Sequence, residues 1–366
     1  MSWNTSPTPD KTGRWIVSEF GGPSVMKWET WDLPTETSPD DVLVRIIAAG
    51  ISGTDNIQRV GGYPDPRTAK PGFTPGYELV GEVITIGSSA AINSKLAVGD
   101  RVVSMCVVGA HATHAIVPVT ELIPIEATDD PVLVSALPVN YMTAWGMLKR
   151  SGVDLAPGSS VLIGSVSGGV GTAIAQLAHA FNMKLKLIGT CSASKFDYVK
   201  SLGVTPVDRR APDLVAQVKA LTDGKGVDVA YDAVGSEQSL LQSYQATKED
   251  TGKVIMIGVM DEIKADGTGM TSSPSELHAL LGARMQPRTS FFSVMADHYL
   301  KSRDMFLEDF NAILRKVRTK ELIPKVFKVV RLADEVQVQE ELVSGANVTG
   351  KMVFAVDEKL AKQHGL

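Results

Sequence analysis

The pattern of apolar and polar positions divides the chain into stretches of different period. Up to about residue 135 the period is short. Asp41-Val42-Leu43-Val44-Arg45-Ile46-Ile47-Ala48 alternates and then turns apolar, and Glu78 to Ile86 repeats the pattern and stops at Gly87. Val98-Gly99-Asp100-Arg101-Val102-Val103 is a turn entering a strand, and His114 to Pro118 is a further short run. Such runs, punctuated by Gly and Pro, predict strands. From Val132 to Arg150 the spacing becomes helical, although Pro138 sits inside it. Strands are then expected at Ser160 to Gly164, Leu185 to Gly189, Val227 to Asp232 and Lys253 to Val259. Helices are expected at Gly171 to Phe181, Ala193 to Leu202, Asp213 to Leu221 and Asp304 to Thr319. This alternation predicts an α/β fold, a parallel sheet with helices on both faces. Lys325 to Val330 and Lys351 to Val356 return to strands, and no internal repeat is visible. The polar segment Asp261 to Pro287 reads as a flexible loop. The apolar run Val254 to Met260 reads either as a sheet edge that pairs across a two-fold axis or as a buried internal strand.

Three segments follow: a β-rich domain over 1–135, with 1–13 a disordered lead-in, an α/β domain over 136–320, and a return to the first domain over 321–366. The total of 366 residues suits two domains. The lead-in is rich in Ser, Thr and Pro and lacks the apolar core of a signal peptide. A formal net charge of -5 and the absence of a basic block argue against a nucleic-acid partner. No apolar run reaches the length of a membrane span. Two separated cysteines, Cys106 and Cys191, exclude a disulfide framework and a cysteine-rich zinc site, and fit a reducing, cytoplasmic compartment.

The segment Val161-Leu162-Ile163-Gly164-Ser165-Val166-Ser167-Gly168-Gly169-Val170-Gly171 leaves a strand and enters a helix. Glycines at 168, 169 and 171 let the backbone approach a pyrophosphate, and the helix aims its free N–H groups at that charge. Val166 stands where the first Gly of a Gly-x-Gly-x-x-Gly pattern would be. The next strand ends Gly189-Thr190-Cys191-Ser192-Ala193-Ser194-Lys195, with no acid before Asp197. A carboxylate there would hold a ribose 2′-OH. Ser192, Lys195 and Arg209 would instead hold a 2′-phosphate, so the expected cofactor is NADPH.

Beyond these features, the chain resembles the medium-chain dehydrogenase/reductase family, in its zinc-free quinone oxidoreductase-like and enoyl reductase branch. The resemblance rests on Val44 to Ser52, Gly61-Gly62-Tyr63-Pro64, Pro75 to Val83, Val98 to Val102, Gly168 to Gly171, Gly226 to Gly235 and Gly350-Lys351-Met352-Val353, in that order. It implies a GroES-like β-rich catalytic domain interrupted by a Rossmann domain, a doubly wound parallel sheet, and a homodimer. Zinc-dependent relatives carry ligands where this chain has Ser52, Tyr77 and, in the following helix, a residue near Val139. Their four-Cys lobe has no counterpart here. Without a Lewis acid a conjugated acceptor is the easier target. The resemblance places cofactor contacts at Ser52, Thr143, Ser165, Gly168, Gly169, Val170, Gly171, Gly235, Gly258, Phe292 and Ser293. Ser52 stands where quinone oxidoreductases commonly have Asn. Tyr63 matches the acid proposed for 2-enoyl thioester reductases. His111 and His114 read as ordinary loop or strand residues. The expected activity is NADPH-dependent reduction of an enone or enoyl thioester. Reduction of a quinone, a structural or trafficking role and a non-redox step such as cyclisation stay open.

Overall fold

The computed structural model describes residues 12–345 and 348–366. The lead-in expected over 1–13 lies outside them, save for Thr12 and Gly13, and Gly13 already opens a strand. The chain forms two compact units, one of residues 12–139, 263–270 and 326–366, the other of 140–262 and 271–325.

The strands, in chain order, are β1 (Gly13–Val17), β2 (Met26–Thr30), β3 (Asp41–Ile51), β4 (Glu78–Ile86), β5 (Arg101–Ser104), β6 (His114–Pro118) and β7 (Leu122–Pro124). Then come β8 (Ser160–Ile163), β9 (Lys186–Cys191), β10 (Thr205–Asp208), β11 (Val229–Asp232), β12 (Lys253–Met256) and β13 (Thr289–Phe291), followed by β14 (Val326–Arg331) and β15 (Lys351–Ala355).

In the first unit β1 and β2 form a hairpin, and the main sheet runs β14-β15-β3-β4-β5-β7, with β6 also on β3. Val42, Val44 and Ile46 face the core built on Trp15, Leu79 and Phe354, and so do Ala49 and Ile51. The phase shifts by one residue because the pairing with β4 is irregular between Ile46 and Ala48. A bulge of this kind turns the strand's other face inward. Ile47 and Ala48 consequently pack with Val132 and Val353 on a second core. That explains why the alternation of β3 dissolves into an apolar run.

In the second unit the sheet order is β10-β9-β8-β11-β12-β13, and every pair is parallel. This is the doubly wound arrangement, in which the strand order reverses between the central strands β8 and β11 and ligands bind beyond the carboxyl ends of the strands. The α/β reading and the β-rich first unit are thus both realised.

Two local expectations need correction. The single helix over Val132 to Arg150 is broken into Pro131–Ser135, a π-helical turn Leu137–Tyr141 and Met142–Lys149. Pro138 lacks an N–H and disturbs the ladder, and Val139 N–H donates to the Glu78 carboxylate at 2.7 Å instead. The segment Asp261 to Pro287 is not wholly a loop. Residues 263–270 close on themselves through an Ile263–Met270 bridge and belong to the first unit, and Pro274–Arg284 is a helix whose Ser273–Glu276 capping box starts it. Of the two readings left open for Val254 to Met260, the structure takes the internal strand: β12 lies between β11 and β13, and β13 is the sheet edge. Among the described residues no helix is long and apolar enough to cross a membrane.

Candidate functional site

In the second unit the glycine loop lies between β8 and the helix Gly169–Ala180. That helix starts two residues earlier than its periodicity implied. Its N-cap, Gly168, has no side-chain cap, so the first-turn N–H groups are left for an anion. Ser165 turns the chain with φ 53°, and its N–H donates to Thr190 Oγ1 at 3.3 Å. A Cβ on Gly171 would lie 2.6 Å from Val166 Cα and 2.8 Å from Ser165 O. Only glycine fits there. Gly169 is equally closed by the Asn140 amide. Val166 takes the place of the missing first glycine without blocking the turn, because its buried side chain occupies the space that Gly189 on β9 leaves free.

A cavity opens at the carboxyl ends of these strands. Gly164, Ser165, Thr190, Arg209, Ser236 and Gln242 are among its lining. Lys195 and Arg209 share this edge of the sheet. Burial lowers the Lys195 ammonium below its ordinary pKa, and the Arg209 guanidinium lowers it further. Ser192 caps the short turn that carries Lys195 and makes no cap bond with its hydroxyl. Asp232, buried at the end of β11, accepts from Val234 N, Gly235 N, Ser239 Oγ and Ser243 Oγ. It thereby shapes the Gly235 turn, where a Cβ would lie 2.6 Å from Gly258 O. The loop, the cavity and the cation pair fit a phosphorylated dinucleotide.

Of the other expected cofactor residues of this unit, Thr143 lies on the helix Met142–Lys149, and Phe292 and Ser293 follow β13. Phe292 N–H continues the ladder onto Met256 O at 2.9 Å. Its ring is buried and meets Gly146 of the helix that carries Thr143. Ser293 Oγ accepts from Ala296 N at 3.2 Å, as the cap of the next turn. Thr190, Ser236, Gln238 and Gln242 also line the cavity and went unrecognised in the sequence. Ser and Gln on a polar helix face have no signal of their own.

In the first unit Ser52 and Tyr63 flank the helix Gly53–Arg59. Asp55 Oδ2 accepts from Ser52 N at 2.7 Å. Ser52 Oγ is buried and has no partner. At the far end Arg59, fully buried, donates to Gly21 O and Gly267 O and to Gln339 Oε1. Burial lowers its pKa to about 10. Gln339 Nε2 donates to Glu335 Oε1 at 2.9 Å, and the same oxygen lies 3.0 Å from His111 Nδ1. His111 Nε2 is 3.8 Å from Asp55 Oδ2. His111 is therefore not an ordinary loop residue. It closes a buried chain of polar groups that holds both ends of the helix. Burial opposes its charge, yet Glu335 and Asp55 outweigh burial and raise its pKa. His114, on β6, stays an ordinary strand residue.

Tyr63 sits in a turn whose carbonyl accepts from Asp65 N at 3.0 Å and Thr68 Oγ1 at 3.1 Å. Gly62 leaves no room for a Cβ beneath the Met270 thioether. The Tyr63 and Tyr77 hydroxyls are 2.6 Å apart, with the rings edge to face. Tyr77 is buried and Tyr63 is partly exposed.

These donors do not fit zinc. Ser52 offers a neutral hydroxyl, Tyr77 a phenol engaged by Tyr63, and Val139 no donor at all. The nearby carboxylate, Glu78, is ion-paired with buried Lys351 and bonded to Val139 N–H. Gly50, opposite Glu78 on β3, leaves the space that this carboxylate fills. Among the described residues no group of His, Cys, Asp and Glu side chains is placed to hold a metal.

The family profile described as Alcohol dehydrogenase GroES-like domain matches residues 38–127, and that described as Zinc-binding dehydrogenase matches 169–292. The second match contains none of the three positions where zinc-dependent relatives carry their ligands. Bovine (Bos taurus) prostaglandin reductase-3 is 32% identical over 305 residues, covering 82% of this chain and 76% of that protein. The synaptic vesicle membrane protein VAT-1 homolog of Rattus norvegicus is 33% identical over 248 residues, 67% of this chain and 58% of that protein. The chain thus spans about three fifths of the length of that relative. The crystal structure of Escherichia coli quinone oxidoreductase complexed with NADPH superposes with a TM-score of 0.78 at 23% identity, covering 94% of this chain and 100% of that one. The chain belongs to the medium-chain dehydrogenase/reductase family, in its zinc-free quinone oxidoreductase-like branch.

Proposed function

We propose that the protein is an NADPH-dependent, zinc-independent reductase that delivers hydride to an activated carbon–carbon double bond, as in an enone or enoyl thioester. The observation that carries this reading is the Tyr63 phenol. It is hydrogen-bonded to Tyr77, which stands at a position where zinc-dependent relatives hold their metal. A proton donor takes the place of a Lewis acid.

NADPH, when bound, supplies the hydride. Ser165 and the Gly168, Gly169, Val170 and Gly171 backbone would hold its pyrophosphate. Ser192, Lys195 and Arg209 would hold the 2′-phosphate as charge-assisted donors. Thr143, Gly235, Gly258, Phe292 and Ser293 would bound the nicotinamide end, and the family resemblance adds Ser52 as a cofactor contact. Hydride entering the β-carbon moves an electron pair onto the substrate's carbonyl oxygen, and the α-carbon then takes a proton. Tyr63 is the donor. Its phenol stays protonated at neutral pH and can protonate an enolate. The phenolate left behind regains its proton from water. The names of prostaglandin reductase-3 and of the quinone oxidoreductase belong to those proteins, and both name reductive or redox activities that are consistent with this reading.

The test is NADPH and NADH oxidation at 340 nm with 2-cyclohexen-1-one, crotonyl-coenzyme A, 1,4-benzoquinone and benzaldehyde, after dialysis against a chelator. Turnover of the enone or the thioester with NADPH is expected, undiminished by the chelator. Turnover of the quinone alone would replace the alkene by a quinone in this reading. Benzaldehyde turnover lost on dialysis and restored by zinc would overturn it. NADPH binding without any turnover would favour a non-redox role.

A further inference from the structure

We infer that Tyr77 is a positioning residue that donates its phenolic hydrogen to Tyr63 and thereby makes Tyr63 the acid of the pair. This rests on the reductase reading for its use, but not for its test.

The two oxygens are 2.6 Å apart. Two hydroxyls carry two hydrogens, and only one can lie between them. The other must point away to a third group. The question is which ring keeps the outward hydrogen. Tyr77 is 4% exposed, while Tyr63 retains access to solvent. An outward hydrogen on Tyr77 would face an interior in which, among the described residues, Tyr63 is its one hydrogen-bonding partner. An outward hydrogen on Tyr63, which is partly exposed, can reach water. The arrangement therefore runs Tyr77 O–H to Tyr63 O, leaving the Tyr63 O–H to donate outward.

This order has a chemical consequence. When Tyr63 gives up its proton, the resulting phenolate accepts a short hydrogen bond from Tyr77, and charge-assisted bonds are about twice as strong as neutral ones. Tyr77 keeps its own proton throughout. Burial raises both phenols above the ordinary value, Tyr77 well above, while the bond between them lowers Tyr63 and raises Tyr77. The charged groups felt by Tyr63 are Asp65 and Arg67, which pair with each other, and Asp55. None of these favours Tyr77 as the acid. The edge-to-face stacking at 5.7 Å and the Thr68 and Asp65 bonds to the Tyr63 carbonyl hold the geometry in place.

The experiment places 3,5-difluorotyrosine at position 63 and follows its 19F resonance with pH, in the otherwise unchanged chain and with Tyr77→Phe. Fluorination brings the ring's titration into the range where the protein is folded. Tyr77→Phe is expected to raise the titration midpoint by about one pH unit, the worth of one hydrogen bond to a charged group. An unchanged or lower midpoint overturns the inference. If Tyr77→Phe does not fold, the same probe at position 77 of the otherwise unchanged chain decides. Its midpoint should lie above that of the probe at position 63, and an equal or lower midpoint overturns the inference. Neither readout needs turnover, so an inert protein would sink the reductase reading and leave this one standing. In an active protein Tyr77→Phe should also lower kcat for 2-cyclohexen-1-one about tenfold with KM for NADPH unchanged. The alkaline limb of its pH profile should move up with the Tyr63 midpoint.

Discussion

Lys195 and Arg209 pose the sharpest question at the scale of single residues. Both are cations, and after burial the Arg209 guanidinium is the next cause that lowers the Lys195 pKa. A 2′-phosphate beside them would offset that repulsion. Lys195→Ala should therefore raise KM for NADPH by roughly 10- to 100-fold, the loss of one hydrogen bond between charged groups. KM for NADH should barely move. Steady-state kinetics with both cofactors decides it, and an equal loss for NADPH and NADH would show that Lys195 does not read the phosphate. This preference was legible from residue type alone, because a missing acid and a present base are both visible in the chain. The partners of Tyr63 and His111 were not. Tyr77 is 14 residues from Tyr63, and Glu335 is 224 from His111. No periodicity links positions so far apart, and His111 consequently reads as an ordinary loop histidine until Glu335 is brought beside it.

At the scale of elements, the buried charges act through the strands and helices that hold them. Lys351 opens β15 and is 1% exposed, and its ion pair with Glu78 ties that strand to β4 across β3. Lys351→Met leaves the Glu78 carboxylate buried with only the Val139 N–H. Breaking one side of a buried pair costs about 3–5 kcal/mol. Adding Glu78→Gln removes the orphan charge, so the double variant should recover a large part of that loss. Urea unfolding of the three proteins measures it. A double variant no more stable than Lys351→Met would show that the carboxylate was already neutral. The elements themselves were readable where periodicity dominates, as in β3, β4 and the helix Gly169–Ala180. They were misread where a single residue overrides it. Pro138 splits one apparent helix into three pieces. The helix Pro274–Arg284 has no strong apolar face and hides within a polar stretch, although its Ser273 and Glu276 cap was a usable sign.

At the scale of the whole molecule, the alternation of strand and helix carried the architecture, since a parallel sheet needs a crossover between each pair of strands. The order of strands within the sheet is a different kind of information. Which strand lies outermost depends on crossovers that no local pattern records, and Val254 to Met260 read equally well as an edge or as an internal strand. The structure puts β13 outermost, with Phe291 44% exposed. An edge strand with unpaired backbone groups and an uncovered aromatic ring is a template for another chain. We propose that β13 pairs with its own copy about a two-fold axis, so that two six-stranded sheets become one. A closed, isologous contact of this kind satisfies both edges at once and cannot propagate. Light scattering after gel filtration should give twice the 39.1 kDa of the single chain. Phe291→Asp replaces the exposed ring at the end of β13 by a carboxylate, which the pairing of two copies would bring close to its equivalent. The variant should elute as the single chain, with an unchanged circular dichroism spectrum. A wild-type protein that runs as one chain, or a variant that stays paired, would remove β13 as the contact and leave its short length as the feature that guards the edge.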